Sequence, residues 1–164
     1  MHRANVLTRL VFTASMVLAV LAACSSGETG ASAQAGARCA HCGMRVPADS
    51  TWRAGLTTAS GGALLFDAPK CMFRILRGER GRGAREPWVI EYYSSERRPA
   101  SSLVYVLGSD VESPMGRDLV PIEGRERAER FQRDHHAQSV LTFDEVTSGV
   151  IDELFRPGGG GHGH

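Results

Sequence analysis

The amino-acid sequence predicts an α+β fold made of two β-β-α-β units in pseudo-repeat, closed by a C-terminal helix. Three observations lead there. Short runs rich in β-branched and aromatic residues are punctuated by Gly and Ser, two stretches carry helical spacing of apolar residues, and the two kinds of element follow one another in the same order twice.

In the first unit Thr51-Trp52-Arg53-Ala54-Gly55-Leu56 alternates as a strand. Ala63-Leu64-Leu65-Phe66 follows the Ser60-Gly61-Gly62 turn, which makes a hairpin. Asp67 stands at an N-cap position and Pro69 is tolerated in a first helical turn. Ala68 to Arg77 therefore reads as a helix, with Cys71, Met72, Ile75 and Leu76 toward its apolar side and Gly78 at its end. A Gly/Arg loop from Glu79 to Glu86 leads to the strand Trp88–Tyr93. In the second unit Leu103–Leu107 and Leu119–Ile122 read as strands, Arg125–His136 as an Arg/Glu-rich amphipathic helix and Val140–Phe143 as the closing strand. Asp144 is the expected cap of a last helix reaching Phe155. The folded domain is expected over residues 39–156, its units at about 39–98 and 99–156.

The ends are of another kind. Arg3 and Arg9 precede an apolar run, Leu10 to Ala23, that is too short to span a bilayer as a stable helix, so residues 1–23 read as an export signal. It finishes in Leu21-Ala22-Ala23-Cys24, which resembles a bacterial lipobox: the Cys24 thiol is the expected site of lipidation and the chain is expected to be cut just before it. Residues 24–38 contribute no large apolar side chain and read as a flexible tether. Ser25 directly after the lipidated residue is compatible with outer-membrane sorting, so the expected location is the periplasmic face, held by a lipid anchor. Residues 157–164 form a Gly/His tail whose His162 and His164 read as an auxiliary metal-capture element.

A formal net charge of +1, with acids interspersed among the arginines and no aromatic ladder beside them, makes nucleic acid a poor partner. The chain carries no Gly-rich phosphate loop ahead of a helix, no HExxH and no plausible Ser/His/Asp order, and it reads as a protein that is not an enzyme.

The chemistry gathers in Cys39-Ala40-His41-Cys42-Gly43-Met44: two thiols, an imidazole and a thioether, with Gly43 free to turn the backbone. Thiolate and thioether sulfur together favour Cu(I), whereas thiolates with imidazoles favour zinc. Setting Cys24 aside leaves Cys39, Cys42 and Cys71, an odd number that cannot all pair within one chain. Met115 lies in Ser113-Pro114-Met115-Gly116, a turn near the start of the second unit, as Gly43-Met44 lies near the start of the first. With approximate two-fold packing the two methionines would face each other. Cys71, on the apolar side of its helix, reads as a small buried hydrophobe, and His135-His136 as capping residues at a helix end.

Two other readings compete. One is an exported thiol-disulfide oxidoreductase using Cys39-Ala40-His41-Cys42, against which stand Gly43 and Pro47 where such a motif opens a helix. The other is a structural zinc module joining Cys39, Cys42 and Cys71 with a histidine, which lacks a second closely spaced pair.

Taken in order, Cys42-Gly43-Met44, Leu65-Phe66-Asp67-Ala68-Pro69-Lys70-Cys71-Met72, Tyr105-Val106 with Ser113-Pro114-Met115-Gly116, and Val140-Leu141-Thr142-Phe143-Asp144-Glu145 resemble successive blocks of the NosL family. The resemblance runs from about Cys39 to Leu154. It implies a periplasm-facing, lipid-anchored Cu(I) carrier of two β-β-α-β units, associated with maturation of nitrous oxide reductase. Its partners would be the acceptor cuproenzyme or its transporter and assembly factors. Where that family often has a second acidic residue after Phe-Asp, this chain has Ala68-Pro69. The expected copper ligands are Cys42 and Met44 from the first unit and Met115 from the second, with Cys39 as a further thiolate and His41 as an imidazole ligand.

Overall fold

Strand β1 (Ala54–Thr57) pairs with β2 (Ala63–Phe66) as the expected hairpin, Ala54 opposite Phe66 and Thr57 opposite Ala63. Helix α1 (Pro69–Leu76) follows, then a 3-10 turn (Glu79–Gly81), β3 (Arg85–Ile90) and a short β4 (Arg97–Pro99). After a second 3-10 turn (Ala100–Ser102) come β5 (Val104–Ser113), β6 (Gly116–Ile122), α2 (Arg125–Asp134), β7 (Ser139–Thr142) and α3 (Ser148–Phe155). The computed structural model describes residues 36–156. The expected signal, Cys24 and the tail with His162 and His164 lie outside the described residues. Among the described residues no helix is long and apolar enough to cross a membrane.

The repeat holds at the level of topology. Two antiparallel sheets run in the orders β2-β1-β3-β4 and β6-β5-β7, so the first strand of each unit lies between the second and third. The main core draws on both units: Phe66, Cys71, Met72 and Phe73 from the first pack with Tyr105 and Leu119 from the second. Along β5 the strand period of two sends Tyr105 and Leu107 to this core, and Val104 and Val106 to a second cluster with Ala128 and Phe131 of α2.

Where the boundaries differ from expectation, side chains compete with the backbone pattern. Thr51 and Trp52 lie outside β1 because the Ser50 hydroxyl accepts the Trp52 N–H at 3.2 Å and folds a turn there. β3 begins and ends earlier than Trp88–Tyr93. Buried Glu91 turns the chain, its carboxylate accepting the Ser94 and Glu123 N–H groups at 2.6 and 3.1 Å. Burial alone raises that carboxyl's pKa; the backbone donors outweigh it and hold it below the ordinary value. The unforeseen β4 pairs with β3, with Arg97 stacked over the Trp88 ring at 4.2 Å. α3 starts later than Asp144 because Glu145 accepts both the Thr142 N–H and hydroxyl; Thr147 then caps the helix, accepting the Val150 N–H. α2 stops at Asp134, with His135 at the C-cap, stacked on Phe131 and bonded to Asp110 at 2.7 Å.

The start of α1 differs most. Its N-cap is Ala68, with no side-chain cap, rather than Asp67. Pro69 has no N–H to satisfy, and the Lys70 N–H donates to Asp118 Oδ1 at 2.9 Å, so a carboxylate from the second unit caps the helix of the first.

Tyr105 ties the crossover between the units: fully buried, it meets Phe73 edge-on at 5.0 Å and donates its hydroxyl to Ala100 O at 2.7 Å. Tyr105→Phe is expected to cost about 0.5–1.5 kcal/mol, the net worth of one hydrogen bond, since Ala100 O keeps the Leu103 N–H as a partner. Denaturant unfolding should show a lower midpoint with unchanged metal binding.

Candidate metal centre

Backbone hydrogen bonds shape the loop between Ala37 and Val46. The Val46 N–H donates to Ala37 O at 2.9 Å, and Arg38 and Arg45 form an antiparallel bridge. Within it the Cys39 N–H donates to Met44 O at 2.8 Å and the Gly43 N–H to Cys39 O at 2.9 Å. The closure needs Gly43 at φ 77°, a conformation side chains with a Cβ rarely take. A bond from the Ala40 N–H to Leu65 O at 2.9 Å fastens the loop to β2, immediately before Phe66, Asp67 and the start of α1.

That attachment brings four groups together. Cys39, Cys42, Asp67 and Cys71 each offer a ligand atom, all lying within 4.8 Å of one another. Both Asp67 oxygens are 3.5 Å from the Cys42 sulfur. Asp67 is available because Asp118 occupies the capping role, and Cys71 faces the loop from the first turn of α1. Cys71 is therefore no mere apolar filler: although fully buried, its thiol belongs to the cluster. Asp67 and Cys71 are the residues sequence reasoning placed elsewhere. Their spacing of four across a helix start, which stacks side chains on one face, was the available signal.

The other expected ligands have separate surroundings. His41 lies outside the four-residue cluster, edge-on to Phe155 at 5.1 Å. Partial burial and the charges of Arg74 and Arg80 lower its pKa, against a smaller opposite pull from Asp67. Met44 is 40% exposed at the rim of the loop. Met115 is half-buried between β5 and β6, in the turn where the sequence placed it, and packs on the core that contains Cys39 and Cys71.

The three thiols are unequal. A hydrogen bond from Cys71 holds the buried Cys39 thiol down to about 6, against burial. Cys42, exposed, is nevertheless pushed up to about 11, first by desolvation and then by its neighbours Cys39 and Asp67. Cys71 rises as the donor to Cys39, and burial adds to this. Three thiolates and a carboxylate form a donor set that suits a thiophilic cation, and no metal can bind all three without displacing protons. Near neutral pH, Cys39 is already largely deprotonated while Cys42 and Cys71 are not. Metal uptake by all three should therefore release about two protons per ion and strengthen as pH rises, measurable by titration in weakly buffered solution. Cys71→Ala should lower that release and the affinity together.

Comparison with known proteins adds to this geometry. No curated protein sequence matches the chain. Among solved structures, the crystal structure of the copper chaperone NosL from Shewanella denitrificans is similar in fold, with a TM-score of 0.60 and 20% identity over 69% of this chain and 91% of that one. The family model described as NosL matches residues 31–151, which take in the loop, the thiol cluster, both sheets and the start of α3, and the chain belongs to the NosL family.

Proposed function

We propose that this protein is a Cu(I) carrier anchored by lipid at Cys24 on the periplasmic face of the outer membrane, which hands copper to an extracytoplasmic cuproenzyme. The resemblance of its sequence blocks points to nitrous oxide reductase maturation, with the acceptor enzyme or its transporter and assembly factors as partners. The observation that supports this most is the convergence of three thiols behind one exposed edge: Cys42 at the surface, Cys39 and Cys71 buried behind it. Cu(I) is satisfied by few soft ligands, so an incoming sulfur from an acceptor can attack at the Cys42 side before the buried thiolates let go. The protein carries its metal as cargo and performs no reaction on it.

The thiol-disulfide oxidoreductase alternative fits less well. Its attacking thiol needs to be both exposed and acid-shifted. Here the acid-shifted thiol is buried and the exposed one is alkaline-shifted.

A second reading has an observation of its own. Asp67 adds a hard oxygen to three sulfurs, and three thiolates with a carboxylate is a set that tetrahedral zinc accepts. The two metals are separated by an anaerobic titration of the reduced, signal-free protein with Cu(I) against a competing chelator, with Zn(II) run in parallel. Tight copper binding that far exceeds zinc is expected, and weak copper beside tight zinc would reverse the order. Met44→Leu with Met115→Leu roughly conserves apolar volume and should leave folding intact. Loss of tight copper binding with zinc binding untouched is the expected outcome, since thioethers matter to Cu(I) and not to zinc.

A further inference from the structure

Lys70 is the only lysine in a chain whose Lys and Arg residues number 19. It is 3% exposed. Its Nζ donates to Met115 O at 2.7 Å and Arg117 O at 2.6 Å, and lies 5.4 Å from the centroid of Phe155. The ammonium thus grips the β5–β6 turn on both sides of Gly116. A compact head with three tetrahedral donors suits two carbonyls that approach from different directions; a planar guanidinium fork does not.

The turn is closed by its own pairs, Glu112 opposite Arg117 and Ser113 opposite Gly116, but the regular ladder stops short of it. β5 and β6 pair regularly from Val104 opposite Ile122 to Leu107 opposite Leu119, and the ladder resumes only at Glu112 opposite Arg117. Between these points β5 spends Gly108 to Val111 against the single residue Asp118, an irregularity of the kind that bends a strand pair. Beyond it, the tip is tied to α1 by the two Lys70 ammonium bonds, and its base by the bond from the Lys70 N–H to Asp118. The next residue on α1 is Cys71, a member of the thiol cluster.

We propose that Lys70 is a positioning residue: it fixes the Met115 turn against the helix that carries Cys71, so that the Met115 thioether is held ready to join the thiolates around Cu(I). The inference deepens the copper reading above and rests on it. Preorganising a ligand carried on a hairpin tip removes an ordering cost from metal binding.

A double-mutant cycle tests it. Lys70→Met is combined with Met115→Leu in the full mature chain, and Cu(I) affinity is read by chelator competition after circular dichroism has shown each variant folded. Lys70→Gln serves in the same cycle if Lys70→Met does not fold. In the wild-type background, loss of Lys70 should cost about 10–100-fold in affinity, as for other residues that orient a ligand. In the Met115→Leu background the further loss should stay within about twofold. A general structural or electrostatic role would cost the same in both backgrounds, and that result overturns the proposal. Amide exchange at Met115 and Arg117 in the metal-free Lys70→Met protein should quicken; unchanged exchange overturns the clamp whatever the metal data show. A wild-type protein that takes up no Cu(I) overturns the copper reading itself, a result distinct from either.

Discussion

Helix α1 begins Ala68-Pro69-Lys70, which offers no side-chain oxygen to its own first amides, and the carboxylate beside it, Asp67, is turned toward the thiols. The missing cap comes from across the repeat. Asp118, buried, accepts the Lys70 and Leu119 N–H groups through Oδ1 and finds no hydrogen-bond partner for Oδ2 among the described residues. Burial raises its pKa to about 6 despite those donors and the Lys70 charge. Desolvating a carboxylate is costly, and a helix amino terminus is among the few places that offset the cost through both hydrogen bonds and dipole. The position of α1, and with it Asp67 and Cys71, depends on this exchange.

Around the thiols, arginines brace the loop through its backbone. Arg38 donates to Gly43 O at 2.9 Å and Arg80 to Ala40 O at 3.2 Å, so each guanidinium braces a carbonyl of the Cys39–Met44 loop. Arg74 stacks on Phe155 at 4.6 Å while Phe155 meets His41. The loop is held by backbone closure, aromatic contact and cationic bracing together, which leaves Cys42 as its accessible thiol.

The elements were legible where one signal dominated. The hairpin at Ala63–Phe66, the body of the helix behind Pro69 and the turn at Met115 follow from local chemistry. Boundaries failed where a side chain stood in for backbone, as Ser50, Glu91 and Glu145 do, because such substitutions leave no periodicity. In the site, Cys39 and Cys42 could be read from spacing. Asp67 reads as a cap because its rival, Asp118, is distant in sequence and no local pattern reveals the competition; Cys71 reads as apolar because it falls on the apolar side of the helix, and that placement does not distinguish a core thiol from a ligand.

The Asp118 cap also bears on how such a chain can change over time. An acidic or hydroxyl residue at position 68 would compete for the first amides and leave the buried Asp118 with the Leu119 N–H alone; losing Asp118 while Ala68 stays would leave the Lys70 N–H bare. Neither step is neutral alone. Positions 68 and 118 therefore behave as one inherited choice, and lineages that settled it differently would hold the same thiols in place by incompatible means, so that exchanging halves between them fails at the helix rather than at the metal.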